Sequence, residues 1–261
     1  MRTEQIRSFV DRFEADFRNR TRFQLYRNDN RPITLAEAYE VQGEILTRAL
    51  RSGSDSVAGY KVGLTTGKMQ KFCGVDQPIA GRILKSGVHT SGARLRKANY
   101  HRLGIESELA LRIGKEIPAG ANAGQVLACI DAIAAAFEVI DDRDADYAHL
   151  EASSIAAENS WNRGIVLGEP TSPSAFGDLR ALEGQLIVNG EPVGTGSSSD
   201  VVTGPLGILA WVAGFARDAG EPLRPGQWIM TGSIIPTKFA VAGDTYSFQL
   251  SSLSPVTVTI D

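Results

Sequence analysis

The sequence predicts an α+β fold in which a helical N-terminal part precedes a β-rich body. Two observations indicate this organisation: apolar residues recur at helical spacing over residues 1–50, and strand-like alternation predominates after residue 80. No Gly/Ser-rich linker separates the two parts. We therefore expect an N-terminal helical part, residues 1–80, and a β body, residues 81–261, to pack as one unit.

Composition excludes several classes of protein. The chain has 261 residues, 43% of them hydrophobic, so a sizeable core can form. Its net charge is −3, which indicates neither a nucleic-acid nor an anionic-membrane partner. Cys73 and Cys129 are far apart, as is typical of reduced thiols in a cytoplasmic protein. The first residues do not resemble a signal peptide, and no apolar run reaches the roughly 18 residues of a membrane span.

Two helices are predicted in the N-terminal part. The first covers residues 1–20, where an apolar stripe recurs at helical spacing. The second begins at a capping box, in which Thr34 caps an amide of the first turn and Glu37 reaches back to the Thr34 N–H. Ser52-Gly53 is expected to end it.

The next stretch, residues 57–65, reads as a strand that places Gly59, Lys61 and Gly63 on one face. Glycine within a strand often marks the close approach of a ligand or of another backbone, which favours Lys61 facing a cavity. The alternative is a lysine on an exposed edge strand, where it prevents aggregation. The sequence alone leaves both interpretations open.

The central feature is the strand pattern of residues 105–113. Its odd-numbered residues are mostly apolar and suit a core, whereas Glu106 and Glu108 share the other face, roughly 7 Å apart. A third carboxylate, Glu138, lies in the apolar run 134–141. Carboxylates without a partnering His or Cys suit Mg²⁺ or Mn²⁺. The alternative is a solvated strand face.

The remaining elements follow from local signals. Asn122 and Gln125 form a second capping box, and we expect a helix over about 123–133. Asn189-Gly190 is typical of a type I′ hairpin turn. The other predicted elements are a helix or loop over 144–160, a strand over 164–168, a helix over 205–219, a strand over 228–233 and a final hairpin over 243–260.

Several of these stretches together resemble one enzyme group, the 2-keto-4-pentenoate hydratase / 4-oxalocrotonate decarboxylase group of the fumarylacetoacetate hydrolase superfamily. The resemblance runs from the Thr34 helix to the C-terminus. The motifs that carry it, each weak alone but in a fairly specific order, are Ala38-Tyr39-x-Val41-Gln42, Gly59-Tyr60-Lys61-Val62-Gly63-Leu64-Thr65, Gly74-Val75-Asp76-x-Pro78, Ile105-Glu106-Ser107-Glu108, Phe137-Glu138-Val139-Ile140-Asp141-Asp142-Arg143, Asn159-Ser160, Val166-Leu167-Gly168 and Ile229-Met230-Thr231-Gly232-Ser233.

The resemblance implies a mixed β-roll body of the fumarylacetoacetate hydrolase type, preceded by the helical part, and a homo-oligomer. It implies a Mg²⁺ or Mn²⁺ ion held by Glu106, Glu108 and Glu138, with Lys61 as the active-site lysine. Ser160 is similar to a small polar residue near the substrate. The chain departs from the family pattern in two places. Leu103-Gly104-Ile105 stands where many members have a proline, and Ala157-Glu158-Asn159 stands where many have Ala-Asp-Asn, which bears on substrate specificity.

The resemblance also implies small 2-oxo or 2-hydroxydienoic acid substrates. We expect a hydratase that gives 4-hydroxy-2-oxo acids, as in aromatic meta-cleavage catabolism. The alternatives are a 4-oxalocrotonate-type decarboxylase and, from another class, a non-catalytic oligomeric scaffold that keeps the fold. A decarboxylase needs a cation for the distal carboxylate of its substrate, and Arg163 is a candidate for it.

Roles for single side chains remain open at this stage. Lys61 either neutralises the substrate carboxylate or transfers protons, and Glu106 also helps to position water. Asp76 either caps a backbone amide or contacts the substrate. Asp141 and Arg143 are expected to pair with each other or to orient Glu138. The three histidines are expected to be structural or exposed, because no motif supports them: His89, His101 and His149.

Overall fold

The computed structural model describes residues 1, 3–51 and 53–261. Ser52, which was expected to help end the second helix, therefore lies outside the described residues. Within them the α-helices are α1 (Thr3–Arg18), α2 (Leu35–Leu50), α3 (Gly67–Phe72), α4 (Ala123–Leu127), α5 (Ala152–Ala157) and α6 (Gly204–Asp218). The strands are β1 (Arg27–Asn28), β2 (Arg31–Pro32), β3 (Val57–Gly63), β4 (Ile79–Leu84), β5 (Val88–Thr90), β6 (Ala93–Leu95), β7 (Leu103–Ile113), β8 (Ile130–Asp141), β9 (Asn162–Leu167), β10 (Glu183–Val188), β11 (Glu191–Ser197), β12 (Trp228–Phe239), β13 (Thr245–Leu250) and β14 (Val256–Ile260).

Two large mixed sheets form the body. One has the order β4-β3-β12-β7-β8-β9-β5 and the other the order β11-β10-β13-β14-β6. Most neighbours are antiparallel, but β12 with β3, β5 with β9, and β14 with β6 run parallel. The main core includes one face of β7 and β8 together with the apolar face of the second sheet, for example Leu109, Phe137 and Phe248. The predicted α+β class with a mixed β-roll body is confirmed.

Helices α1, α2 and α5 build a second core beside the first sheet. Their apolar residues include Val10, Val41 and Ala156, all fully buried. The capping box at the start of α2 is confirmed: the Thr34 side chain accepts from the Glu37 amide, and the Glu37 carboxylate accepts from the Thr34 amide. No helix among residues 1, 3–51 and 53–261 is both long and apolar enough to cross a bilayer.

The seven-stranded sheet takes strands from both parts of the sequence. β3 precedes residue 80, β4 contains it, and β12 lies between β3 and β7. The boundary near residue 80 therefore falls inside a strand. The division into residues 1–80 and 81–261 stays a prediction.

Some predicted elements have different lengths. The helix after Asn122 ends at Leu127, because Ile130 already begins β8 and pairs with β7 up to Ile113. β12 is twice as long as the predicted strand, since it continues through bulges to Phe239. Both hairpin residues Asn189 and Gly190 have positive φ, as the type I′ turn requires.

Candidate metal centre

The three glutamates meet on one face of the β7–β8 ladder. Glu106 lies directly opposite Glu138 in the antiparallel register, and Glu108 follows two residues later on the same face. One carboxylate oxygen from each glutamate lies within 4.8 Å of the others. Glu108 and Glu138 are 0% exposed, so the interpretation of a solvated strand face is wrong for them. Glu106 is partly exposed and forms the open side of the cluster.

Each carboxylate accepts a hydrogen bond from a neighbouring segment. The Gly232 amide donates to Glu108 Oε2 at 2.8 Å, and the Thr237 hydroxyl donates to Glu106 Oε1 at 2.5 Å. Asn162 Nδ2 donates to Glu138 Oε1 at 2.9 Å. The motif that contains Gly232 was visible in the sequence. The roles of Asn162 and Thr237 were missed, because they depend on strand register.

A bulge in β12 releases the Gly232 amide from the ladder. The pairing of β12 with β7 shifts between Met230 and Ser233, so this amide turns toward Glu108. Gly232 has a φ of +107°, and a Cβ there would lie 2.4 Å from the Thr65 hydroxyl oxygen. Only glycine fits this conformation and this space.

Two carboxylate oxygens are left without any donor. Glu108 Oε1 and Glu138 Oε2 are buried and have no hydrogen-bond partner among the described residues. Burial, with the charges of Glu138 and Glu106, raises the pKa of Glu108 well above its ordinary value. Burial raises the pKa of Glu138 to about 7, although the Lys61 ammonium opposes the shift. Buried oxygens this close together fit a hard divalent cation, which satisfies them and relieves their repulsion.

Lys61 belongs to the same cluster. Its side chain is buried, and Nζ lies 3.2 Å from Glu138 Oε1 and donates to the Ser160 carbonyl at 3.1 Å. Because β3 is flanked by β4 and β12, the edge-strand interpretation of Lys61 is wrong. A Cβ on Gly63 would lie 2.9 Å from Ser160 Oγ. The glycine therefore allows the Ser160 side chain to approach the strand closely. Burial works to lower the pKa of Lys61, but Glu138, Glu106 and Glu108 outweigh it and raise the pKa, which keeps the ammonium charged.

The segment that carries Ser160 has an unusual backbone. Asn159, Ser160 and Trp161 all have positive φ, at 54°, 52° and 61°. Such conformations cost roughly 1–2 kcal/mol per non-glycine residue, so the surroundings must hold them. The Asn159 side chain does this by two bonds to the main chain of Arg82: it accepts from the amide at 2.7 Å and donates to the carbonyl at 2.8 Å.

Other predicted side chains lie elsewhere. Asp76 is exposed between α3 and β4 and lines a surface cavity with Cys73 and Glu151, away from the cluster; its role stays a prediction. Arg163 places its guanidinium over the Phe17 ring, 4.1 Å from the centroid, and so faces α1.

The expected ion pair between Asp141 and Arg143 is wrong. Arg143 pairs with the buried Glu158, whose carboxylate also accepts from the Tyr26 hydroxyl. Asp141 instead accepts main-chain amides at the start of β7, from His101 at 2.8 Å and Arg102 at 2.9 Å. Glu158, one of the chain's departures from the family pattern, therefore belongs to a buried ion pair with Arg143.

The histidines take no part in the cluster. His149 is exposed and lies 2.9 Å from Asp146. His89 lines a cavity of about 680 Å³ between α1, α2 and the segment that follows β6. His101 Nδ1 is buried with no partner in the described part of the chain.

Comparison with known proteins gives one family. A family model described as fumarylacetoacetate (FAA) hydrolase C-terminal matches residues 77–261. The chain is 29% identical over 234 residues to a 2-hydroxyhexa-2,4-dienoate hydratase of Comamonas testosteroni, covering 88% of each chain. It is 30% identical over 230 residues to a 4-oxalocrotonate decarboxylase of Pseudomonas sp. (strain CF600), covering 88% of this chain and 86% of that one.

A solved structure extends the match to the whole fold. It is a 4-oxalocrotonate decarboxylase from Pseudomonas putida G7, complexed with magnesium and adipate, at 26% identity. The TM-score is 0.91, and the match covers 100% of this chain and 99% of the other.

Proposed function

The chain belongs to the fumarylacetoacetate hydrolase family, and on that premise we propose that it is a divalent-metal-dependent hydratase of 2-hydroxy-2,4-dienoates. Its products are 4-hydroxy-2-oxo acids. The observation that carries the proposal is a pair of buried oxygens with no hydrogen-bond partner among the described residues, Glu108 Oε1 and Glu138 Oε2, beside Glu106 and the charged Lys61.

Glu106, Glu108 and Glu138 would hold Mg²⁺ or Mn²⁺, since all three offer hard oxygen ligands. The magnesium complex of the similar decarboxylase supports this. When bound, the cation supplies Lewis-acid stabilisation of the negative charge that develops on the C2 oxygen of the substrate. Gly232, Thr237 and Asn162 keep the three carboxylates in position for it.

Lys61 supplies the positive charge that the chain itself brings to the site. Its ammonium lies between Glu138 and Ser160, where it can pair with the C1 carboxylate of the substrate and hold a proton near the reacting carbons. In the reaction the dienol first becomes a 2-oxo-3-enoate by moving its hydroxyl proton to C5. Water then adds across C3 and C4, with the hydroxyl at C4 and a proton at C3. Glu106, on the open side, is placed to orient this water.

The choice of hydratase over decarboxylase rests on Arg102. A diacid substrate needs a cation at its distal end, and the Arg102 guanidinium lies beside the open side, 4.4 Å from the Phe239 ring centroid. Arg102 already pairs with two carboxylates of the protein: it donates to both oxygens of Asp142 at 2.7 and 2.6 Å and to Asp144 at 2.7 Å. It therefore offers no free charge to a substrate carboxylate. The second candidate, a 4-oxalocrotonate-type decarboxylase, is supported by the adipate complex of the similar structure.

The free-energy cost of burying the three glutamates together disfavours the alternative of a non-catalytic scaffold. Three carboxylates packed around one ammonium are destabilising unless a ligand relieves them, and a scaffold has no need for them. A homo-oligomer remains part of the proposal, since the resemblance implies it.

The deciding experiment compares two substrates with the magnesium-loaded protein. We expect 2-hydroxypenta-2,4-dienoate to lose its absorbance and to give 4-hydroxy-2-oxopentanoate, and 4-oxalocrotonate to release no CO₂. Release of CO₂ with the dienoate untouched would establish the decarboxylase instead, and inertness toward both would contradict both enzymes.

Lys61→Met tests the assignment of the lysine. We expect turnover to fall by about 10²–10⁴, the usual worth of a proton-transferring group, while magnesium still binds. Lys68→Met, on the exposed surface of α3, is the matched control and should keep full activity. Unchanged turnover in Lys61→Met would remove Lys61 from the mechanism.

A further inference from the structure

Three aromatic side chains form a line of ring contacts, here called the aromatic arc: Trp161, Tyr147 and Phe239. The Tyr147 ring centroid lies 6.2 Å from that of Trp161 and 6.3 Å from that of Phe239. Tyr147 and Phe239 are 41% and 43% exposed, whereas Trp161 is buried. The arc therefore presents apolar surface to solvent, which in a folded protein often marks a binding site.

Both ends of the arc belong to segments of the metal centre. Trp161 directly follows Ser160, whose carbonyl accepts from Lys61. At the other end, Phe239 lies two residues after Thr237 on β12, and so on the same strand face, and the Thr237 hydroxyl donates to Glu106. The arc thus passes the open side of the cluster, where Glu106 is partly exposed.

The middle of the arc lies on that side as well. Partial burial, followed by the charges of Asp142 and Glu106, raises the pKa of the Tyr147 hydroxyl. If the charged end of a molecule is held at the glutamates, the rest of the molecule must extend past the partly exposed Glu106, because Glu108 and Glu138 are fully buried. Its far end then meets the rings of Tyr147 and Phe239.

The arc offers apolar surface, and among the described residues the cation packed on its rings is already paired. The Arg102 guanidinium packs on it, 4.4 Å from the Phe239 centroid and 5.6 Å from that of Tyr147, but Asp142 and Asp144 already neutralise this arginine. Lys238 pairs with Ile105, whose side chain faces the main core, so Lys238 points away from the cluster. The Trp161 Nε1 is buried without an acceptor among the described residues, and a neutral donor supplies no counter-charge.

We propose that the aromatic arc binds the distal end of the substrate and selects 2-hydroxydienoates with an alkyl or aryl substituent beyond C4 over those that end in a carboxylate. The selection rests on the proposed function, because it takes the C1 and C2 oxygens of the substrate to lie at the glutamates. Apolar groups gain by burial against the two exposed rings, while a carboxylate there would lose water without gaining a cation.

The first test is a substrate series with the magnesium-loaded protein. We expect kcat/KM for a methyl- or phenyl-substituted dienoate to fall about tenfold or more in Phe239→Ala and Tyr147→Ala, while the unsubstituted dienoate changes by less than about threefold. Tyr147→Phe keeps the ring and should keep the preference. Phe72→Ala removes a ring of similar exposure, 47%, on α3 and is the matched control. Equal losses for all substrates would overturn the proposal.

The second test separates the arc from the reaction. Calorimetry of the magnesium-loaded protein with 4-phenyl-2-oxobutanoate and with 2-oxoadipate requires no turnover. We expect the phenyl compound to bind about tenfold more tightly, and Phe239→Ala to abolish the difference. If this preference holds while no dienoate is hydrated, the arc is right and the hydratase assignment fails. Tighter binding of 2-oxoadipate, or binding of neither acid, would overturn the arc.

Discussion

At the scale of single residues, Asn159 matters as a positioning residue. It lies outside the carboxylate cluster, yet its two bonds to Arg82 anchor the left-handed turn that presents Ser160 to Lys61. Without these bonds the turn loses the contacts that offset its conformational cost. The position of the Lys61 ammonium therefore depends on a side chain that touches neither the glutamates nor the lysine.

We predict that Asn159→Ala lowers kcat about tenfold or more and leaves magnesium affinity within about threefold. The matched control is Asn189→Ala, because Asn189 also has positive φ and also makes two side-chain bonds, to Asp244 and Thr245, but in the distant hairpin. Both variants should lose stability by about 1–2 kcal/mol. Steady-state kinetics and magnesium calorimetry check the prediction, and an equal loss of activity in both variants would contradict it.

The sequence could predict the strand face of the glutamates and the crowding around Lys61 because these signals are local; their role in a site stays a prediction. Alternation fixed the face of Glu106 and Glu108, and the glycines flanking Lys61 indicated a crowded strand. It did not predict Thr237 or Asn162, since their contacts depend on a bulged register and on the pairing of β8 with β9. Arg102 was missed for a similar reason: its partners lie about 40 residues away.

At the scale of elements, features that depend on neighbouring residues could be predicted from the sequence, whereas features that depend on strand pairing could not. Both capping boxes formed as predicted, because every bond in them lies within four residues. The length of α4 was predicted wrongly, because the residues from Ile130 onward form β8 and pair with β7 instead of continuing the helix. Short α3 and the strands β5 and β6 carry little periodicity and were not predicted.

The start of α2 gives a pH prediction. Bonds from Arg31 and from the Thr34 amide lower the pKa of Glu37 to about 2. Because this pKa lies below the unfolded value of about 4.5, the stabilisation is complete above pH 4.5 and is lost as the pH falls toward 2. Glu37→Ala should therefore cost about 1 kcal/mol at neutral pH, and less as the pH falls below 4.

Chemical denaturation of both proteins at pH 7 and pH 3.5 measures this difference. Glu40→Ala, an exposed change on the same helix, serves as the control and should show a smaller cost at pH 7. A cost for Glu37→Ala that stays constant between the two pH values would contradict the assignment.

At the scale of the whole molecule, metal binding should be visible as stability. Glu108 and Glu138 each have a buried oxygen without a partner in the described part of the chain, which destabilises the metal-free protein. A ligand that binds only the folded state stabilises it. At a hundredfold excess over Kd this amounts to about 2.7 kcal/mol, so magnesium should raise Tm by roughly 5–10 °C.

Differential scanning calorimetry with and without magnesium checks the effect. Glu108→Gln removes one charge and one ligand, so it should melt at least as high as the wild type without magnesium and gain little from the ion. Glu191→Gln, an exposed acid in the β10–β11 hairpin, should respond like the wild type. A full magnesium shift in Glu108→Gln would exclude Glu108 as a ligand.

Because β12 lies between β3 and β7, the candidate metal centre can form only late in the synthesis of the chain. Lys61 and the three glutamates have all left the ribosome long before residues 228–239 are made. Until then no strand links the lysine to the carboxylates, and the Gly232 amide that orients Glu108 does not exist. A nascent chain therefore carries every charged group of the candidate centre before the strand that joins β3 to β7 exists, and we expect metal capture only after residues 228–239 have been made.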